Sequence, residues 1–222
     1  KPVFFPYITY SFYKVWADLY RIPYECKKVD ENFRIVKEDY YPENGGVIFP
    51  NPNAPTSIYE DLEFVEDIIR HNQDVIVIVD EAYIDWVDIP DYPSAVKYVE
   101  EGGKNIIVLR TFSKIYGMAG IRVGYSVANS EITKALNSIA GSFGTSGPAA
   151  AGAAAALGDK EFYTMSYKNN KEQRDYLMEE MSKMGVDVTP SQTSFIYFDP
   201  HCNTQECMDA IEEGGVLIRY FG

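Results

Sequence analysis

The sequence predicts an α/β fold: a mostly parallel sheet with helices on both faces, followed by the start of a smaller C-terminal α/β lobe. Two observations carry this prediction. Short apolar runs rich in β-branched residues recur along the chain, and longer amphipathic or polar segments separate them. The clearest strands are expected at residues 47–49, 75–79, 106–109 and 122–127. Each is short and apolar on both faces, as a strand in a covered parallel sheet is.

The segments between and after these strands predict helices. Residues 58–71 place apolar side chains at helical spacing and keep acidic ones mostly off that stripe, which indicates a crossover helix. Further helices are predicted at residues 132–139, in the alanine-rich stretch 148–157, and in the long polar stretch 162–184.

The C-terminal part predicts the smaller lobe. A strand at 194–198, a helix at 205–213 and a strand at 216–220 follow the long helix. We therefore expect a large domain over residues 1–167, and a linker helix with a partial small domain over residues 168–222. The chain begins in a strand-like run and ends in another, so we expect a fragment of a longer protein, or one whose ends were removed.

Composition narrows the classes of partner. Of the 222 residues, 46% are hydrophobic and 24% are charged, which is ordinary for a globular protein. A net charge of −13 disfavours binding to nucleic acid or to an anionic membrane. Three cysteines without disulfide-framework spacing, and no apolar signal segment, predict a cytoplasmic protein. His201, Cys202 and Cys207 fit no standard zinc spacing, so no metal is expected.

The first chemical motif is residues 110–125, RTFSKIYGMAGIRVGY. A strand ending at Leu109 would place Thr111, Ser113 and Lys114 at the carboxyl edge of the sheet, where α/β proteins bind ligands. The hydroxyls and Arg122 could bind a phosphate while Lys114, as a neutral amine, forms a Schiff base with an aldehyde. An isolated Ser-Lys pair after a strand would more often be a solvated surface feature.

The second motif is residues 75–86, VIVIVDEAYIDW, in which an apolar strand delivers Asp80 to the same edge. A carboxylate there can keep a pyridine nitrogen protonated, and Tyr83 could donate to a phenolic oxygen. By itself, an aspartate at a strand end is often a helix cap or a turn former.

The third motif is residues 48–57, IFPNPNAPTS, a strand followed by a loop rich in proline and asparagine. Proline fixes the backbone and Asn53 supplies a directional amide, which suits a rigid loop over a cofactor ring. A plain turn is the simpler interpretation of this segment alone.

In this order and spacing, the three segments resemble those of the fold-type I aminotransferases and fit the histidinol-phosphate aminotransferase branch best. The similarity covers essentially the whole chain, from the aromatic residues 7–13 to residues 215–222. It implies that family's large-domain fold and the cofactor pyridoxal 5'-phosphate. It also implies that Lys114 carries the cofactor and moves a proton between it and the substrate Cα.

The resemblance assigns the other site residues as well. Asp80 would pair with the pyridine nitrogen, Tyr83 would contact the phenolate, and Tyr10 would stack on the ring. The groups implied to hold the phosphate are Thr111, Ser113 and Arg122.

Three features depart from the family pattern. Ala54 stands where members commonly have Asn before Pro-Thr-Gly, which leaves Asn53 as the nearest amide, and Ser57 replaces the glycine. The family's amino-terminal arm, its glycine-bearing phosphate loop and its distal carboxylate-binding arginine lie outside these residues, so weak cofactor binding and little turnover are expected.

Arg219, in the predicted last strand, is a candidate contact for a substrate phosphate.

The implied reaction converts histidinol phosphate and 2-oxoglutarate to imidazole acetol phosphate and glutamate. Two alternatives stay open: a phosphothreonine decarboxylase of cobalamin synthesis, which shares all three motifs, and a folded lobe without catalytic competence. The resemblance further implies a phosphorylated small-molecule substrate and a homodimer.

Overall fold

A computed structural model describes residues 1–91, 94–141, 144–201 and 204–221, so Cys202 and Gly222 lie outside the described residues. The strands are β1 (Val3–Pro6), β2 (Tyr24–Lys27), β3 (Val47–Pro50), β4 (Val77–Asp80), β5 (Ile106–Thr111), β6 (Gly124–Ala128), β7 (Asp187–Val188) and β8 (Phe198–Asp199). The helices are α1 (Phe12–Leu19), α2 (Leu62–His71), α3 (Val96–Glu100), α4 (Ser130–Ile139), α5 (Gly147–Gly158), α6 (Lys160–Lys183) and α7 (Thr204–Glu213).

The first six strands form one sheet in the order β2-β1-β3-β4-β5-β6. Every neighbouring pair is parallel except β5 and β6, which are antiparallel. The predicted mostly parallel sheet is thus confirmed. Its four best strands are all present, and the strand-like start of the chain is β1. The edge strand β2 was not predicted, because its sequence Tyr-Glu-Cys-Lys lacks a continuous apolar run.

One face of the sheet carries the main core. The buried strand side chains on this face are Phe4, Val47, Phe49, Val77, Val79, Ile106 and Val108. They pack against α2 and α3 through Val65, Ile68 and Tyr98. Each fully buried aliphatic side chain contributes roughly 1.5–3 kcal/mol relative to an exposed one. This core fixes the register of β3, β4 and β5.

The opposite face is covered by α1 near β1. Phe5 meets Tyr13 of α1 edge to face, with ring centroids 6.0 Å apart. An apolar cavity of about 280 Å³ lies between α1 and the strands, with Trp16, Ile48 and Ile78 among its lining residues. Helices therefore pack on both faces, as predicted.

Two predicted boundaries move for local reasons. The crossover helix begins at Leu62 rather than residue 58, because Asp61 is extended and its side chain accepts a hydrogen bond from the Phe64 amide as an N-cap. β4 begins at Val77 rather than residue 75, because the Val75 amide closes a turn on the Asn72 carbonyl.

The last strand of the sheet also begins later than predicted. Arg122 was placed in a strand over residues 122–127, but it follows a short 3-10 helix, Ala119–Ile121, and adopts left-handed backbone angles (φ 56°, ψ 53°). A residue in that conformation cannot continue a β ladder. β6 accordingly starts at Gly124.

The C-terminal part differs most from its prediction. The helices expected over 132–139, 148–157, 162–184 and 205–213 are present as α4, α5, α6 and α7 with small shifts of boundary. The predicted strand at 194–198 is reduced to β8, which pairs only with the two-residue β7. The strand predicted at 216–220 is wrong, since that segment has no regular secondary structure. The proposed domain boundary at 167/168 falls inside α6 and stays a prediction.

Within the described ranges, none of the helices combines the length and apolar content needed to cross a bilayer.

Candidate active site

The carboxyl ends of β4 and β5 bring three of the predicted residues together. Asp80 ends β4 in register with Leu109 of β5, and Lys114 follows shortly after β5 ends. The Lys114 ammonium lies 4.8 Å from the centroid of the Tyr83 ring. Burial raises the pKa of Asp80, and the positive charge of Lys114 acts against that rise. The sheet edge therefore clusters the lysine, the carboxylate and the phenol that the sequence singled out.

The Asp80 carboxylate is held by two protein donors. The Tyr13 hydroxyl donates to Oδ2 at 2.9 Å, and the Ala82 amide donates to Oδ1 at 3.2 Å. Burial raises the pKa of Asp80, while the Tyr13 hydrogen bond, the Ala82 amide and the Lys114 charge oppose that shift. Sequence analysis missed Tyr13. The signal available was its position three residues after Tyr10, at the start of an amphipathic helix.

The three predicted phosphate-binding residues lie at one end of the β5–β6 hairpin. Thr111 ends β5 opposite Gly124, and its hydroxyl accepts a hydrogen bond from the Ser113 amide at 3.1 Å. Gly124 has to be small, because a Cβ there would lie 2.8 Å from the Arg110 carbonyl oxygen. Arg122 is exposed and donates to the Ala119 carbonyl at 2.8 Å. The Thr111 hydroxyl also donates to the Val123 carbonyl at 3.5 Å, so this end of the hairpin brings together two hydroxyls and a guanidinium that are partly engaged by the backbone.

Tyr10 precedes α1 and is 42% exposed. Its ring stacks on Phe12 with centroids 5.6 Å apart and meets Tyr13 edge to face at 5.7 Å. These contacts fix the ring from the protein side and leave part of it accessible to a ligand.

Asn53 is buried and its side-chain amide is engaged by the protein. Its oxygen accepts a hydrogen bond from the Thr9 hydroxyl, and its amide nitrogen donates to the Ile8 carbonyl and to the Thr56 hydroxyl. Both amide hydrogens thus have protein acceptors. Asn53 ties the 51–58 loop to the segment that carries Tyr10, and its predicted contact with a cofactor stays a prediction.

The loop over residues 51–58 contains Ala54 and Ser57, the two residues that depart from the family pattern. Ser57 has φ 65°, the left-handed region that favours glycine, so this position uses the backbone freedom that the family's glycine supplies. The peptide bonds Asn51–Pro52 and Ala54–Pro55 are both cis.

Beneath the edge lies a buried ionic cluster, the Glu81 cluster, formed by Glu81, Ser94 and Arg110. Arg110 Nε donates to Glu81 Oε2 at 2.8 Å, and the Ser94 hydroxyl donates to the same oxygen at 2.7 Å. Glu81 is 1% exposed; burial raises its pKa and the charge of Arg110 opposes that. Sequence analysis missed this cluster, although Glu81 directly follows Asp80 and Arg110 directly precedes Thr111.

Arg219 makes a contact away from this group in the part of the chain that the structure describes. Its guanidinium lies over the ring of Phe221, 4.9 Å from the centroid, in a segment without regular structure. Arg219 therefore does not lie in a strand, and its role as a substrate contact stays a prediction.

The donor set fits an anionic aromatic aldehyde. An accessible amine on Lys114 suits the aldehyde, the Asp80 carboxylate suits a protonated ring nitrogen, and the Tyr10 ring suits a flat aromatic face. The hydroxyls and guanidinium at the hairpin end suit a phosphate. Pyridoxal phosphate combines all four features.

Comparison with known proteins agrees with this chemistry. The family model described as aminotransferase class I and II matches residues 1–222. Among curated relatives, a histidinol-phosphate aminotransferase of Pseudomonas putida (strain W619) is 38% identical over 224 residues, 99% of this chain and 63% of that protein. One from Clostridium beijerinckii is also 38% identical, over 100% of this chain and 62% of that protein. The chain thus spans less than two thirds of these relatives.

Solved structures show the same fold. The histidinol-phosphate aminotransferase of Sinorhizobium meliloti, in complex with pyridoxal-5'-phosphate, superposes with a TM-score of 0.89 at 23% identity, over 98% of this chain and 61% of that one. The L-threonine-O-3-phosphate decarboxylase of Porphyromonas gingivalis reaches 0.84 at 20% identity, over 98% and 66%. At these identities the likeness shows the fold alone.

Proposed function

This chain belongs to the class I and II aminotransferase family, and from that membership we propose that it binds pyridoxal phosphate through Lys114 and takes part in amino-group transfer. The observation that carries the proposal is the convergence of Lys114, Tyr83 and Asp80 at the carboxyl edge of β4 and β5. The cofactor named for the Sinorhizobium meliloti structure supports it.

Pyridoxal phosphate, when bound, supplies a conjugated ring that accepts the electron pair left at the substrate Cα. The protein's part is to hold the ring and to move a proton. Asp80 offers a carboxylate to the ring nitrogen, and Tyr83 offers a hydroxyl to the phenolic oxygen. Tyr10 would cover one face of the ring, and Thr111, Ser113 and Arg122 would hold the phosphate.

Lys114 has two tasks in this scheme. Its amine would hold the cofactor through the aldehyde carbon, with loss of water. Once a substrate amine has displaced it, the freed Lys114 amine would accept the proton from the substrate Cα and deliver it to the cofactor carbon that had carried the aldehyde. The side chain is exposed, which leaves it free to move between these positions.

For the whole protein we propose the exchange of an amino group between histidinol phosphate and 2-oxoglutarate, giving imidazole acetol phosphate and glutamate. The names of the relatives at 38% identity support this substrate pair. The decarboxylase alternative has weaker support, because its representative is a fold neighbour at 20% identity. A homodimer and a cytoplasmic location are proposed by the same analogy, and light scattering and cell fractionation test them.

The experiment supplies pyridoxal phosphate to the protein, and to the longer polypeptide if its gene encodes one, and then offers two substrates. With histidinol phosphate and 2-oxoglutarate, we expect glutamate to form in an amount equal to the keto product. With phosphothreonine, we expect no carbon dioxide. Lys114→Ala serves as the inactive control. Carbon dioxide without glutamate would overturn the aminotransferase assignment in favour of the decarboxylase.

A further inference from the structure

We propose that Tyr13 is a positioning residue, whose buried hydroxyl holds the Asp80 carboxylate in the orientation that a protonated pyridine nitrogen requires. The proposal rests on the proposed function, because it concerns the same site. It assigns Tyr13 a purpose that neither the motifs nor the comparisons give it.

The contacts leave Asp80 both fixed and able to bind. Tyr13 donates to Oδ2 at 2.9 Å and the Ala82 amide to Oδ1 at 3.2 Å, so each carboxylate oxygen has one protein donor. A carboxylate oxygen can accept more than one hydrogen bond. The two protein donors therefore set the rotation of the carboxylate and still leave acceptor capacity for a ligand N–H.

Tyr13 is itself firmly held. It is 3% exposed, and its ring meets Phe5 of β1 edge to face with centroids 6.0 Å apart. It also meets the edge of Tyr10 at 5.7 Å. One end of α1 thus carries both the ring proposed to cover the cofactor face and the hydroxyl that fixes the carboxylate. This arrangement ties the plane of the bound ring to the position of Asp80.

The electrostatics give the hydrogen bond a second effect. Among the described residues, the groups facing Asp80 are the Tyr13 hydroxyl from α1, the Ala82 amide and the Lys114 ammonium from the loop after β5. Burial raises the pKa of Asp80, and the Tyr13 hydrogen bond is the largest influence against that rise. The pKa of Tyr13 is raised well above its usual value by burial and by Asp80, so it remains a donor at neutral pH. Without its hydroxyl, Asp80 would gain a proton at higher pH.

The first test uses protein without cofactor. The Asp80 carboxyl carbon is followed by ¹³C NMR during a pH titration of wild type and Tyr13→Phe, with the signal assigned by its loss in Asp80→Asn. We expect the Asp80 midpoint to move to higher pH in Tyr13→Phe. The matched control is Tyr98→Phe, which removes another hydroxyl, one that donates to the Leu62 carbonyl at 2.6 Å beside the main core, and should leave the midpoint unchanged. An unchanged midpoint in a folded Tyr13→Phe protein would overturn the proposal.

The second test is a double-mutant cycle on pyridoxal phosphate affinity. Tyr13→Phe should weaken binding about tenfold when residue 80 is aspartate, because a hydrogen bond to a charged group is lost. In the Asp80→Asn background the same change should have little further effect, because the effect of Tyr13 passes through that carboxylate. Equal weakening in both backgrounds would contradict the proposal. Absence of any cofactor adduct on Lys114 in wild type counts against the proposed function instead, and the NMR titration does not depend on it.

Discussion

The carboxyl edge of β4 and β5 and the C-terminal segment after α6 differ in what fixes their structure. At the edge, Asp80 ends β4 and Lys114 follows β5, and both strands are buried, hydrogen-bonded on both sides and tied by the Glu81 cluster. After α6, β7 and β8 each have two residues, and the last residues carry exposed apolar side chains such as Leu217, 83% exposed. The sheet therefore sets the geometry of the candidate site. The C-terminal segment is held in place by a few contacts with the loops beside the sheet.

The contacts of this segment include hydrogen bonds and an aromatic contact with residues far away in the sequence. The Thr189 hydroxyl donates to the Thr56 carbonyl at 2.9 Å, and the Gln192 amide donates to the Ser57 carbonyl at 2.9 Å. Phe195 meets the Tyr83 ring edge to face at 4.9 Å. The segment over 189–195 thus packs on the 51–58 loop and on Tyr83, and we expect substitutions in it to have an intermediate effect on the free energy of unfolding.

The largest effect is expected from breaking the Glu81 cluster. Arg110→Met removes the partner of a fully buried carboxylate and should lower the free energy of unfolding by about 3–5 kcal/mol. Urea denaturation measures this. The control is Lys183→Met, which breaks exposed ion pairs with Glu179 and Glu180 at the end of α6 and should leave the urea midpoint unchanged. If both variants lost a similar free energy of unfolding, the difference drawn between the buried sheet edge and the exposed C-terminal part would be contradicted.

An intermediate effect on the free energy of unfolding is expected in the segment over 189–195, which packs on the 51–58 loop. Thr193 is fully buried, and its hydroxyl donates to the Phe195 carbonyl at 2.8 Å. Thr193→Val keeps the shape of the side chain and deletes that hydrogen bond, so we expect a loss of about 1–2 kcal/mol in urea denaturation. A loss as large as that of Arg110→Met would mean that this segment is as tightly integrated as the sheet.

The smallest effect is expected at the end of the chain. Leu217→Ser replaces a side chain that is 83% exposed, and surface substitutions of this kind usually stay within about 0.5 kcal/mol. Thermal unfolding of the variant beside wild type measures it. A clear drop in midpoint temperature would show that residues 216–221 are packed in solution. That result would contradict the expectation that this segment contributes little to stability.

The same contrast explains what the sequence could predict. The strands around Asp80 and Lys114 are continuous apolar runs whose burial depends on the core, so their positions in the sequence and the sheet edge at which they end follow from pattern alone. The roles of Tyr13 and Arg110 were not predicted, because they depend on partners 67 and 29 positions away in the sequence. A hydrogen bond between distant segments leaves no local pattern.

The failed strand at 216–220 has the opposite cause. Its β-branched and aromatic residues have strand propensity, yet a strand requires a neighbour to pair with, and none of the described residues pairs with this segment. Arg122 shows a third case. Its apolar flanks predict a strand, but the turn just before β6 places its backbone in the left-handed region.

The most direct test of the central claim is the chemical identification of the residue that carries the cofactor. The protein is incubated with pyridoxal phosphate, reduced with borohydride and digested, and the modified peptide is located by mass spectrometry. We predict a single dominant adduct on Lys114 and its absence in Lys114→Ala. Adduct spread over other exposed lysines, with none favoured at Lys114 in wild type, would contradict the assignment of this sheet edge as the active site.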